Sequence, residues 1–70
     1  MTSAEELRER LEDIGEALAD LAMDALRAAL EDGDAGAKDR ERRLTRARRS
    51  VEKAAALLAD DRSADRDLDL

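Results

Sequence analysis

The feature that most constrains this chain is a stripe of large apolar residues that recurs at helical spacing between residues 5 and 30. Its members follow one another at steps of 4, 3, 4, 3 and 4 residues: Leu7, Leu11, Ile14, Leu18, Leu21 and Ala25. Such steps place all six on one side of an α-helix. The opposite side is acidic and carries Glu5, Glu9, Asp13, Glu16, Asp20 and Asp24. Because an isolated helix of this kind is marginal in water, another surface must cover the stripe.

A second helical pattern follows a short break rich in aspartate and glycine. Thr2 and Ser3 both suit the N-cap of the first helix, whose first turn is acidic. Gly33 suits a left-handed helix end, and Asp34 suits the N-cap of a new helix. The sequence therefore predicts helix 1 at about 4–31, a turn at 32–36, helix 2 at about 37–60 and an acidic flexible tail at 61–70.

The two helical patterns predict a hairpin. The apolar side of helix 2 carries Leu44, Ala47, Val51, Ala54, Ala55 and Leu58. A connection this short favours antiparallel packing. A register in which paired residue numbers sum to 69 sets Leu18 against Val51, although it also sets Leu21 against Arg48. We predict an all-α, antiparallel two-helix hairpin.

The apolar content is small for a stable monomer and predicts self-association. The chain has 70 residues and no Phe, Trp or Tyr. A single core of this size rarely supplies more than about 3–5 kcal/mol of net stability. We predict a homodimer that forms a four-helix bundle, and a loose monomeric hairpin is the alternative. The candidate self-association residues lie off the two stripes: Leu26, Leu30 and Leu57.

Gly15 interrupts helix 1 beside the stripe. A glycine inside a helix costs about 1 kcal/mol relative to alanine. It indicates either the close approach of a second backbone or a glycine that the helix simply tolerates.

Two arginines of helix 2 lie on or beside its apolar side. Arg40 is in phase with Leu44 and Val51, and Arg48 lies at the edge of the same stripe. A buried arginine is costly without a carboxylate, so each is expected to find one or to extend into solvent. The expected partners are Glu31 or Asp32 for Arg40, and Asp20 or Asp24 for Arg48.

The composition argues against catalysis, cofactors and membrane insertion. The chain has no Cys and no His, and none of its hydroxyl residues has a recognisable triad partner. The carboxylate row of helix 1 is expected to be a solvated face rather than a metal site. No apolar run approaches the roughly 20 residues of a membrane span, and the acidic N-terminus lacks the pattern of a signal peptide. We expect a cytoplasmic, non-enzymatic protein with no cofactor and no metal.

Helix 2 carries the strongest functional signal. Residues 37–53 hold eight bases and three acids, whereas residues 1–36 hold three bases and eleven acids. One interpretation is charge-complementary assembly with the acidic helix, within or between hairpins. The others are an acidic surface of another protein and, as the main functional alternative, nucleic acid bound by a regulator. The candidate partner-contact residues are Arg42, Arg46, Arg49 and Lys53.

Overall fold

The computed structural model describes residues 2–59, which form two helices packed against each other. Helix α1 spans Ala4–Asp32 and helix α2 spans Ala35–Ala59. No strand occurs within those residues, and no helix among them is long and apolar enough to cross a membrane. The prediction of an all-helical fold with two packed helices is confirmed. The predicted tail at 61–70 lies outside the described residues.

Local side-chain chemistry sets the ends of both helices. The Ser3 hydroxyl accepts a hydrogen bond from the Glu6 amide at 3.1 Å and caps α1. Gly33 ends this helix in the left-handed region, at φ 65° and ψ 26°. The Asp34 carboxylate then accepts from the amides of Gly36 and Ala37, at 2.9 and 3.2 Å. Two residues therefore suffice to reverse the chain, where the sequence predicted a turn of five.

Small residues bring the two helices together. Every buried residue in the described chain is glycine or alanine: Gly15, Ala22, Ala25, Ala37 and Ala55. The burial pattern indicates that α1 meets α2 at positions separated by steps of 3 and 4: Arg8, Leu11, Gly15, Leu18, Ala22, Ala25 and Ala29. The equivalent positions of α2 are Ala37, Glu41, Leu44, Arg48, Val51, Ala55 and Leu58. Most members of both sets are buried or half-buried.

The contact line of α1 is turned away from the leucine stripe that the sequence singled out. Leu7, Ile14 and Leu21 are exposed, and each immediately precedes a residue at which the two helices meet. Three of the six stripe positions are thus replaced in the contact line by the residue that follows them. Because successive residues of a helix are rotated by about 100°, the mean direction of the contact line lies about 50° from that of the stripe. The prediction that the two apolar stripes pack directly on each other is corrected accordingly.

The register of the hairpin also differs from the prediction. A Cβ built on Gly15 would lie 3.9 Å from Cγ1 of Val51 and 3.9 Å from Cγ of Glu52. Paired residue numbers therefore sum to 66 or 67 rather than 69. The same register sets the buried Ala22 opposite the half-buried Leu44, and the buried Ala55 opposite Leu11. Large residues thus meet small ones, which is how two helices approach closely.

Candidate functional site

One broad side of the hairpin is a shallow groove lined by four charged residues and six small or apolar ones, here called the polar flank after its charged groups. Its lining comes from both helices: Leu11, Glu12, Gly15, Glu16, Ala19, Arg48, Glu52, Ala55, Ala56 and Ala59. Two of its carboxylates pair within their own helix, since Glu12 lies 2.9 Å from Arg8 and Glu52 lies 3.1 Å from Arg48. These i,i+4 pairs lie partly in solvent, so each contributes about 0.5 kcal/mol or less. Three of the four charged residues that line the polar flank are therefore paired within their own helix.

Helical phase assigns the remaining residues to the two flanks. The groove holds residues that come four positions after a contact residue, such as Glu12 and Ala19 of α1 and Glu52 of α2. Residues that come one position before a contact residue point to the other side of each helix. The helices are antiparallel, and in both of them the residues four positions after a contact residue line the groove. The residues one position before a contact residue, in both helices, therefore lie together on the opposite flank.

That opposite side is called here the apolar flank. Its members are Leu7, Ile14, Leu21 and Ala28 of α1, with Arg40, Ala47 and Ala54 of α2. Leu7, Ile14 and Leu21 are 42%, 48% and 52% exposed. The large apolar residues of the contact line are themselves only half-buried: Leu11, Leu18, Leu44, Val51 and Leu58. The sequence stripes of both helices thus turn toward one common surface instead of toward each other.

The three leucines predicted for self-association are divided between the flanks. Leu26 and Leu30 are exposed, and their phase places them on the side of the polar flank, near the turn. Met23 lies beside them and is also exposed. Leu57 is exposed and borders the apolar flank, since it follows Ala54 by three residues. The periodicity predicts Leu7, Ile14 and Leu21 inside the hairpin, whereas the structure exposes them together with the three leucines predicted for self-association.

The predicted basic face lies on the outer side of α2. Arg42, Arg46, Arg49 and Lys53 are all exposed and follow one another at steps of 4, 3 and 4. Within residues 2–59, no carboxylate lies within 4.0 Å of any of these four cations. The arginines that do pair there are Arg8, Arg27, Arg43 and Arg48. The structure therefore brings the four candidate cations together on one solvent-facing surface.

Two expected ion pairs between the helices are not formed. Arg48 was expected to reach Asp20 or Asp24, but its Nε lies 3.1 Å from Glu52 on its own helix. Arg40, expected to reach Glu31 or Asp32, has no carboxylate partner in the described part of the chain. Every ion pair found there joins residues three or four apart on one helix. Direct ion pairing between α1 and α2 therefore does not hold the described hairpin together.

The outer side of α1 is acidic and offers no ready metal site. Within the described range, no three Asp or Glu residues lie close enough together to share a metal ion. The acidic and basic outer sides stand at opposite edges of the hairpin. The sequence matches no protein-family model, no curated protein and no solved structure.

Proposed function

We propose that the chain is a non-enzymatic helical interaction module that acts through protein–protein contacts, first of all by assembling with itself into a dimeric four-helix bundle. One observation supports this proposal above all others. The buried positions of the described hairpin are only glycine and alanine, while seven large apolar side chains are exposed: Leu7, Ile14, Leu21, Met23, Leu26, Leu30 and Leu57.

With this distribution of side chains, a single hairpin gains little free energy from apolar burial. Burying a leucine is worth about 1.5–3 kcal/mol, and an alanine contributes much less because it removes little apolar area from water. Helices of this composition gain most of their stability from packing rather than from intrinsic propensity. A partner that covered the exposed leucines of one flank would supply the missing burial, and two hairpins in a four-helix bundle do this in the simplest way.

Thermal unfolding at several protein concentrations tests the proposal. If folding and assembly are coupled, mass action raises the melting temperature with concentration. A tenfold increase in concentration corresponds to about 1.4 kcal/mol, or about 5 °C for a dimer of this size. Circular dichroism at 222 nm is the readout. A melting temperature that does not change across a hundredfold dilution contradicts self-association.

A second candidate function is binding to nucleic acid through the basic face. The observation that favours it is the exposed ladder of Arg42, Arg46, Arg49 and Lys53, which has no carboxylate neighbours in the described chain. Arginine presents a planar fork suited to phosphate. The same chemistry suits an acidic surface of another protein. Against nucleic acid stand the net charge of −6 and the absence of aromatic residues for base stacking.

Titration with DNA and with RNA at low and moderate salt separates these two functions. Contacts to phosphate release counterions, so a nucleic-acid binder must lose affinity steeply as salt rises. Replacing Arg46 and Arg49 by glutamine should then weaken binding and lower the salt dependence. A protein-interaction module should show no binding at either salt concentration, and the double substitution should leave its assembly intact.

A further inference from the structure

We propose that the apolar flank docks on the apolar flank of a second copy, with α1 of each copy lying antiparallel across α2 of the other. This inference rests on the proposed self-association and specifies its surface and orientation. The starting observation is that the apolar stripes of both helices face one flank, with Leu7, Ile14 and Leu21 about half exposed. Hairpins that serve as halves of a four-helix bundle turn their stripes in this way, toward the bundle centre.

The flank has the size of a stable interface. The helices overlap over the 25 residues of α2, which at 1.5 Å per residue gives a length of about 38 Å. Two packed helices, each about 10 Å across, present a width of about 20 Å. The resulting surface is about 750 Å², close to the roughly 800 Å² per partner of a standard protein interface.

Charge identifies a second copy as the occupant and selects its orientation. Within Ala4–Asp32 the chain has ten acids and three bases, whereas Ala35–Ala59 has three acids and eight bases. Two hairpins stacked face to face have two possible two-fold axes. An axis across the helices sets α1 on α1 and α2 on α2, so like charges meet. An axis along the helices sets each acidic α1 beside the basic α2 of its partner, which complementarity favours.

Side-chain size favours the same orientation. The apolar members of this flank are large on α1, where Leu7, Ile14 and Leu21 are exposed, and small on α2, where Ala47 is exposed and Ala54 is half-buried. Placing α1 over the α2 of the partner sets large residues on small ones, as already occurs inside the hairpin. Arg40 lies on this flank near the turn, where its long side chain can extend to solvent.

The orientation predicts specific neighbours. A two-fold axis along the helices does not change the position of a residue along the helix axis. Residues of α1 in one copy and α2 in the other therefore face each other when their numbers sum to 66 or 67, as they do within one hairpin. Ala17 of one copy then faces Ser50 of the other, and Asp24 faces Arg43. Within one hairpin, Ala17 and Ser50 lie on the outer edges of the flank and point away from each other.

Light scattering on matched leucine variants tests the surface. Leu21→Glu places a charge on the apolar flank, whereas Leu30→Glu places the same charge at an exposed site on the other side. We expect Leu21→Glu to weaken dimerisation by about 100-fold or more, as loss of a central apolar contact does. Leu30→Glu should keep the wild-type mass. A dimeric Leu21→Glu protein, or dissociation by Leu30→Glu, overturns the assignment of this surface.

Disulfide trapping tests the orientation and does not depend on whether the monomeric variant folds. The chain contains no cysteine, so Ala17→Cys and Ser50→Cys each add a single thiol. We expect an equimolar mixture to form the mixed disulfide and each variant alone to form none, because only the mixed pair brings Cα atoms within the roughly 7 Å limit. A disulfide between two Ala17→Cys chains, or no disulfide in the mixture, overturns the orientation. A monomeric wild type would instead refute the proposed function itself.

Discussion

Gly15 lies on the contact line between the two helices, yet its surroundings leave room for a methyl group. A Cβ at this position would meet side-chain atoms of Val51 and Glu52 at 3.9 Å, which is ordinary van der Waals contact. Alanine is about 1 kcal/mol better than glycine inside a helix. We expect Gly15→Ala to stabilise the fold by about 0.5–1 kcal/mol, measured as a higher midpoint of urea unfolding. A lower midpoint would show that a second backbone approaches this site more closely than the hairpin itself requires.

At Gly33 the same substitution by alanine is expected to destabilise the fold. Its φ of 65° is a conformation that side chains with a Cβ adopt only with strain, although no atom lies near the place where the Cβ would be. We expect Gly33→Ala to lower the free energy of unfolding by about 1 kcal/mol, through backbone conformation alone. Equal effects of alanine at Gly15 and Gly33 would contradict this account of the turn.

The residues that end the helices could be predicted because their chemistry is local. The Ser3 cap, the left-handed Gly33 and the Asp34 cap each depend on atoms within three residues along the chain. The partner of Arg48 could not be predicted in this way. Whether that side chain reaches Asp20 or Glu52 depends on how α2 is rotated about its axis, which the spacing of charges does not fix.

At the scale of the helices, close packing depends on glycine and alanine, which are less hydrophobic than leucine. Ala22 is buried at the contact between α1 and α2. We expect Ala22→Leu to destabilise the hairpin by about 1–3 kcal/mol, because the larger side chain forces the helices apart. Chemical denaturation gives the value, and Ala35→Leu, at an exposed position of α2 outside the groove, serves as the control with little change. A gain of stability in Ala22→Leu would mean that the leucine stripe, and not the small residues, faces α2.

The same distinction explains why the two helices could be predicted but not their mutual rotation. Periodicity correctly indicated that α1 and α2 exist and pack, since steps of three and four define one side of a helix. It then gave the greatest weight to leucine, so the predicted contact line ran through Leu7, Ile14 and Leu21. In the structure, Gly15 and Ala22 lie on the contact line instead. The sum of paired residue numbers is accordingly two or three lower than predicted.

At the scale of the whole molecule, the two proposed forces of assembly differ in their response to salt. Apolar burial on the flank persists at high ionic strength, whereas exposed charge pairs are worth only about 0–1 kcal/mol and are screened. We therefore expect the dissociation constant of the dimer to rise by less than about tenfold between 0.1 and 1 M salt. Sedimentation equilibrium measures this change. Complete dissociation at high salt would assign assembly to the charged edges instead of the leucines.

The central claim is that the leucine stripes remain open in one hairpin because a second copy covers them. The molar mass of the unmodified chain in solution, followed by light scattering through a dilution series, tests it most directly. We expect a mass of twice 7.7 kDa at high concentration, with dissociation only on dilution. A mass of 7.7 kDa at every concentration, with helical structure retained, would contradict the claim.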